Sequence, residues 1–203
     1  DREWIALYAD GSKLDAAFLS IDPAAPTLQA MLDVFPYPTV LQRGIRVLLD
    51  KTSFRTELRL PKLDKPQLPD QAEFIALINR MWLEAIKTAK FIRRHDLWRA
   101  KQLCDGELKQ HLLTMLEWHA AAQSNQRDTW YDGRFMAEWA DQETLTALPA
   151  TFAAYHLADM KRALLATLDL FRRLAHCVAG QLHYPYPIET DRFSASHINT
   201  LLR

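Results

Sequence analysis

The stretch that most constrains this chain is LADMKRALLATLDLFRRLAHCVAGQL, Leu157 to Leu182, which runs its whole length without a proline. Leu164, Leu168, Phe171, Leu174, Ala175 and Val178 recur in it at steps of three and four. That spacing puts them on one face of a long helix, and such a face needs other apolar helix surfaces to cover it. Tyr184-Pro185-Tyr186-Pro187 ends the run, and a last helix is expected from Thr190 to the end. Upstream, Pro69-Asp70 starts another helix, which carries Phe74, Leu77, Ile78, Met81, Trp82, Ala85 and Ile86 on one face to about Arg94. Asp96 to His119 gives Leu97, Cys104, Leu108, Leu112, Met115 and Leu116, with Asp105-Gly106 as a break. Residues 124–133 form a polar loop, and 134–140 and 142–148 are short helices.

The first third reads differently. WIALYA (4–9) and LDAAFL (14–19) flank Asp10-Gly11, a hairpin signal because glycine takes a positive φ without strain. Asp15 is a single acid inside the second run. A short helix is expected from Thr27, its N-cap, to Val34. GIRVLLDK (44–51) reads as a third strand. Leu60 to Pro69, with three prolines and several charges, reads as a linker. The expected fold is α+β, a sheet-bearing domain over 1–62 followed by a C-terminal helical bundle over 63–203.

Charge excludes some functions. Twenty-five basic residues balance twenty-five acidic ones, so there is no electrostatic case for nonspecific nucleic-acid binding. Cys104 and Cys177 lie far apart, without zinc-ligand spacing, and both read as buried free thiols. No apolar run is long enough for a membrane span and no signal peptide is visible, so a cytoplasmic protein is expected.

Three stretches carry a resemblance: LYADGSKLDAAFLSID, with its Asp-Gly turn and the acid that follows; NRMWLEAIKTAKFIRRHDLWRA followed by LLTMLEWH; and ATLDLFRRLAHCVAGQLHYPYP, with its Leu-Phe-Arg, Val-Ala and Tyr-x-Tyr-Pro. In this order they resemble the aminoglycoside 6-adenylyltransferase (streptomycin adenylyltransferase) family. The resemblance implies a nucleotidyltransferase domain with a mixed sheet, Mg2+ with ATP as co-substrate, and a helical domain closing over it. AMP then passes to a hydroxyl of an aminoglycoside, the chemistry of antibiotic resistance. The partners are ATP and a small-molecule acceptor, with neither nucleic acid nor membrane.

By the same resemblance Asp15 matches the third metal-binding carboxylate of that fold, in a catalytic and metal role. On spacing alone it also reads as an exposed acid on a polar strand face. The family's Asp-x-Asp pair has no counterpart here, since Asp22 is followed by Pro23-Ala24. The expectation is therefore that about 70–90 residues of the nucleotidyltransferase domain precede this chain, and that the chain alone does not catalyse transfer. Lys90 matches the family's Ala-Lys and is expected at the triphosphate, with Arg94 beside it. Arg134, after Gly133, matches a basic residue before a short helix and is expected to hold phosphate. Each of the three also reads as an ordinary solvated charge.

Arg80 stands where the family has Glu, an unfavourable charge for a cationic acceptor. Glu84, one turn on, is the candidate replacement, and Glu73 lies two turns back. Trp82 is a candidate acceptor platform, although Trp82, Trp98 and Trp118 all read as core. The seven histidines show no catalytic or metal pattern. Two alternatives stand beside an aminoglycoside enzyme: a nucleotidyltransferase for another hydroxylated acceptor, and a noncatalytic helical binding module.

Overall fold

The computed structural model describes residues 2–18, 38–49, 67–123 and 127–203. The fold is α+β with a helical C-terminal region. The chain divides into two compact units, Asp1–Asp64 and Lys65–Arg203.

In the first unit, β1 (Arg2–Leu7) pairs antiparallel with β2 (Lys13–Phe18), and Ile5 lies opposite Asp15. Gly11 turns the chain at φ 83°. Asp10 Oδ1 accepts hydrogen bonds from the Ser12 amide at 2.9 Å and the Ser12 hydroxyl at 2.7 Å, closing the loop. These local bonds explain why Asp-Gly-Ser was a legible turn. Among the described residues the sheet is this antiparallel pair, not a mixed sheet. A short helix, α1 (Pro38–Leu41), ends at Gly44, whose amide bonds the Leu41 carbonyl at φ 97°.

The expected strand at 44–51 does not form over its described part, 44–49. An apolar run becomes a strand only where a neighbour completes its ladder, and Leu48 and Leu49 remain exposed. The expected helix at 27–34 and the turn at Asp50-Lys51 lie outside the described residues.

The second unit is a helical assembly built on a continuous core. Helix α2 (Gln71–Arg93) begins with a capping box. Asp70 Oδ1 accepts from the Glu73 amide at 2.8 Å, and Glu73 Oε2 accepts from the Asp70 amide at 2.9 Å. Glu73 is thereby a cap residue. The α2 face reads as expected, with Phe74, Ile78, Met81 and Trp82 buried.

α3 (Leu97–Gln102) and α4 (Leu108–Gln123) are joined by a widened helical turn at Leu103–Glu107. The turn falls where Asp105-Gly106 predicted a break. Lys101 and Lys109 serve this turn: Lys101 bonds Asp105 and the Ala153 carbonyl, and Lys109 bonds the Cys104 carbonyl at 2.7 Å. Short helices α5 (Met136–Trp139) and α6 (Gln142–Ala147) lead to α7 (Leu157–Leu182), and α8 (Ile188–Leu202) closes the unit. All six apolar α7 residues of the periodic face are buried.

Two side chains turn outward against expectation. Cys104 is buried, and burial pushes its thiol up to about 11. Cys177 is exposed, because it lies on the α7 arc that also carries exposed His176 and Gly180. Trp98 is exposed too, whereas its neighbour Leu97 packs on the core. Adjacent helix positions point about 100° apart, and α3 is too short for periodicity to fix its buried face.

The Tyr-x-Tyr-Pro segment is a tie between helices. After α7 ends at His183 in a left-handed conformation (φ 57°), Tyr184 donates its hydroxyl to the Pro69 carbonyl at 2.9 Å and packs its ring against Phe74. Tyr186 donates to Asp191 Oδ2 at 2.5 Å. Asp191, nearly buried on α8, also receives Arg172 Nε at 3.0 Å and Nη2 at 2.7 Å. The Arg172 guanidinium in turn lies 4.7 Å over the Trp82 ring.

Candidate functional site

Asp15 projects from β2 and is exposed, paired with Lys13 at 2.9 Å. Lys13 and Asp15 are two residues apart in the strand and so share a face. An ion pair this exposed contributes little and leaves the carboxylate free to change partners. Mg2+ is held by one or two carboxylates together with phosphate oxygens, and Asp15 fits one such position. Among the described residues no group of three potential metal ligands occurs.

The basic end of α2 is formed by the last turn of the helix. Lys90, Arg93 and Arg94, with Leu201 from α8, line an open cleft of about 360 Å3. Lys90 and Arg94 are exposed and stand one helical turn apart. No ion pair to either occurs among the described residues. Their charges favour the negative end of the α2 dipole, so part of their role is to stabilise the helix.

Arg80 and Glu84 lie one turn apart on α2, with His111 of α4 near both. Both act on His111, whose imidazole lies below the ordinary histidine range because of burial and then Arg80, with Glu107 and Glu84 pulling the other way. Glu84 is itself engaged by Lys87 at 2.8 Å. This wall therefore carries both signs of charge.

Two sequence expectations change here. Trp82 is 2% exposed and lies in the core under Arg172, so its ring cannot stack on an acceptor. Arg134 lies beside α5, a helix of only four residues, and its guanidinium sits 4.8 Å over the Phe135 ring. So short a helix offers a phosphate almost no dipole, and the spacing rule for a phosphate-binding loop does not transfer to it.

Sequence reasoning missed Glu117. It is half-buried on α4, and burial followed by the neighbouring Asp132 carboxylate pushes its carboxyl up to about 7. The loop carrying Asp132 is close-packed on α4: a Cβ on Gly133 would meet Leu113 at 3.3 Å and Met136 at 3.2 Å. A lone Glu at a helical position gives no sequence signal of this, because the second carboxylate comes from a loop fifteen positions on.

The consequence for stability follows from the direction of the shift. With the folded value above the unfolded one, the folded state binds the extra proton between about pH 4.5 and 7, and stability falls as pH rises through that window. Glu117→Gln is expected to stabilise the protein by about 1–2 kcal/mol at pH 8, allowing for partial exposure, and to change nothing at pH 4. Chemical denaturation at the two pH values checks this; equal effects at both would disprove the carboxylate strain.

The described residues thus form an antiparallel hairpin in one unit and, in the other, a helical assembly with a basic end, an α+β arrangement rather than a lone bundle. The chain belongs to the streptomycin adenylyltransferase family, whose model matches residues 1–201. A curated relative, the aminoglycoside 6-adenylyltransferase of Bacillus subtilis (strain 168), is 27% identical over 188 residues. The match covers 91% of this chain, which spans 62% of that relative's length. The crystal structure of an aminoglycoside 6-adenyltransferase from Bacillus subtilis shares the fold, with a TM-score of 0.62 at 23% identity, covering 98% of this chain and 70% of that one. No helix among the described residues is long and apolar enough to cross a membrane.

Proposed function

We propose that this chain is part of an enzyme that transfers AMP from ATP to a hydroxyl of an aminoglycoside. The observation that carries the reading is the pair of exposed cations at the end of α2, Lys90 and Arg94, without an ion-pair partner among the described residues, in a chain of the adenylyltransferase family. In the reaction the acceptor oxygen bonds to the α-phosphorus and the bond to the β-phosphate oxygen breaks. Pyrophosphate leaves, and the hydroxyl proton passes to a nearby base. Mg2+, when bound, would offset charge on the triphosphate, and Asp15 is the residue of the first unit proposed to hold it. Residues 1–62 would belong to the nucleotidyltransferase domain and 63–203 to the helical domain.

Lys90 and Arg94 would bind phosphate by charge-assisted hydrogen bonds, and Glu84 and Arg80 would form the acceptor wall. Glu84 suits an ammonium or guanidinium group. Arg80 opposes one, which favours as a second reading an acceptor hydroxyl on a less cationic molecule.

Lys90→Ala is expected to weaken ATP binding by about 1 kcal/mol, roughly fivefold, since an exposed ammonium loses much of its Coulomb energy to water. Calorimetry on the full-length gene product measures it. An unchanged ATP affinity in Lys90→Ala and Arg94→Ala together would remove this end of α2 from the nucleotide site.

A further inference from the structure

We propose that the bundle retains the pyrophosphate product in a cleft between the last turn of α2, the first turn of α7 and the last turn of α8, with Arg93, His156 and Lys161 as its ligands. The inference rests on the reading of Lys90 and Arg94 as phosphate-binding residues and extends it to a separate set of groups.

The cleft encloses about 750 Å3, and Arg93, His95, His156 and Lys161 line it. Arg93 and Leu201 also line the smaller cleft of Lys90 and Arg94, so the two run into each other. Arg203 also lines the larger cleft, and among the described residues no aspartate or glutamate side chain lines either one. The nearest acid on α7, Asp159, is engaged elsewhere, accepting from Arg162 Nε at 2.6 Å and from the Ala154 amide at 2.6 Å. Lys161 gives one N–H to the Leu202 carbonyl at 2.8 Å, its one side-chain hydrogen bond among the described residues. Helix α7 begins at the cleft wall with no side-chain cap on its first turn, which leaves backbone amides there without intrahelical partners.

The arrangement selects for a long anion. One phosphate group satisfies one or two cations. Here Lys90, Arg93, Arg94 and Lys161 are spread over two helices and two adjoining clefts, which suits a polyanion with charge at both ends. Pyrophosphate is the anion that the proposed transfer releases.

The test is calorimetric titration of the full-length gene product with inorganic pyrophosphate, and with inorganic phosphate as the comparison. Pyrophosphate is expected to bind about tenfold more tightly. Arg93→Ala and Lys161→Ala should each weaken it about three- to fivefold, and Lys161→Arg should restore it. Thermal unfolding of each variant separates lost binding from lost folding, and Arg93→Ala removes no helix-to-helix bond among the described residues. Equal affinity for the two anions would mean nonspecific charge attraction and overturn the proposal. Pyrophosphate binding that survives Arg93→Ala and Lys161→Ala also overturns it. If Arg94→Ala still weakens binding in that case, the phosphate role of Lys90 and Arg94 stands while the larger cleft is excluded.

Discussion

Replacing Asp191 with alanine is expected to destabilise the protein by about 3 kcal/mol. Asp191 is 8% exposed and accepts from three donor groups, Nε and Nη2 of Arg172 and the Tyr186 hydroxyl. Without it, the Arg172 charge stays against the Trp82 ring with only the exposed Asp169 carboxylate, 3.7 Å from Nη1, beside it, and the Tyr186 hydroxyl loses its acceptor. The phenol lies above its ordinary range because of burial and then the bond to Asp191, so it keeps its proton and stays a donor.

The cost comes mainly from the abandoned partners. The pair itself gains little over an apolar packing. Two further variants separate these terms. Tyr186→Phe should cost only about 1 kcal/mol, the value of one hydrogen bond. Arg172→Met with Asp191→Leu should recover most of the loss. Urea denaturation at pH 7 measures all three. A cost below about 1 kcal/mol for Asp191→Ala would mean that the pair is effectively solvated and does not tie α7 to α8.

The largest functional effect is expected at Asp15. Asp15→Asn should lower adenylyl transfer by the full-length gene product at least about a hundredfold, because an amide lacks the anionic oxygen that a hard cation requires. Stability should hardly change, since the side chain is exposed and its bond to Lys13 is a surface ion pair. Lys13→Ala serves as the control: it breaks the same ion pair but leaves the carboxylate, so transfer should persist. Equal loss in both variants would show that the hairpin is merely distorted, and retained activity in Asp15→Asn would remove the residue from the metal site.

What could be read from the sequence follows from how far each signal is local. The long helix α7 was legible to its ends because its period persists over many turns and prolines close it. The Asp-Gly-Ser turn was legible because its hydrogen bonds run between neighbours. The start of α2 was legible because Asp70 caps the helix that it precedes. The orientation of Trp98 and Cys177 was not, since one sits in a helix of little more than a turn and the other borders an apolar arc.

The strand at 44–49 failed for a different reason. Gly44 to Leu49 has the composition of a strand, and composition says nothing about a partner. Of the candidate site, Lys90 and Arg94 were legible only through resemblance. Asp191 reads as an acid favoured in the first turn of α8, and nothing in its neighbours reveals Arg172 nineteen positions earlier. Glu117 and Lys161 likewise take their meaning from elements that meet them only after folding.

The central claim is that this chain serves adenylyl transfer to an aminoglycoside, and one assay addresses it directly. The full-length gene product is incubated with ATP labelled at the α-phosphate, Mg2+ and streptomycin, with a neutral polyol as the alternative acceptor. The account predicts that the label moves onto streptomycin, that pyrophosphate appears in equal amount, and that the polyol remains unlabelled. Label on the polyol alone would favour the second reading suggested by Arg80. No label on either acceptor, from a folded protein that binds ATP, would contradict the proposed function.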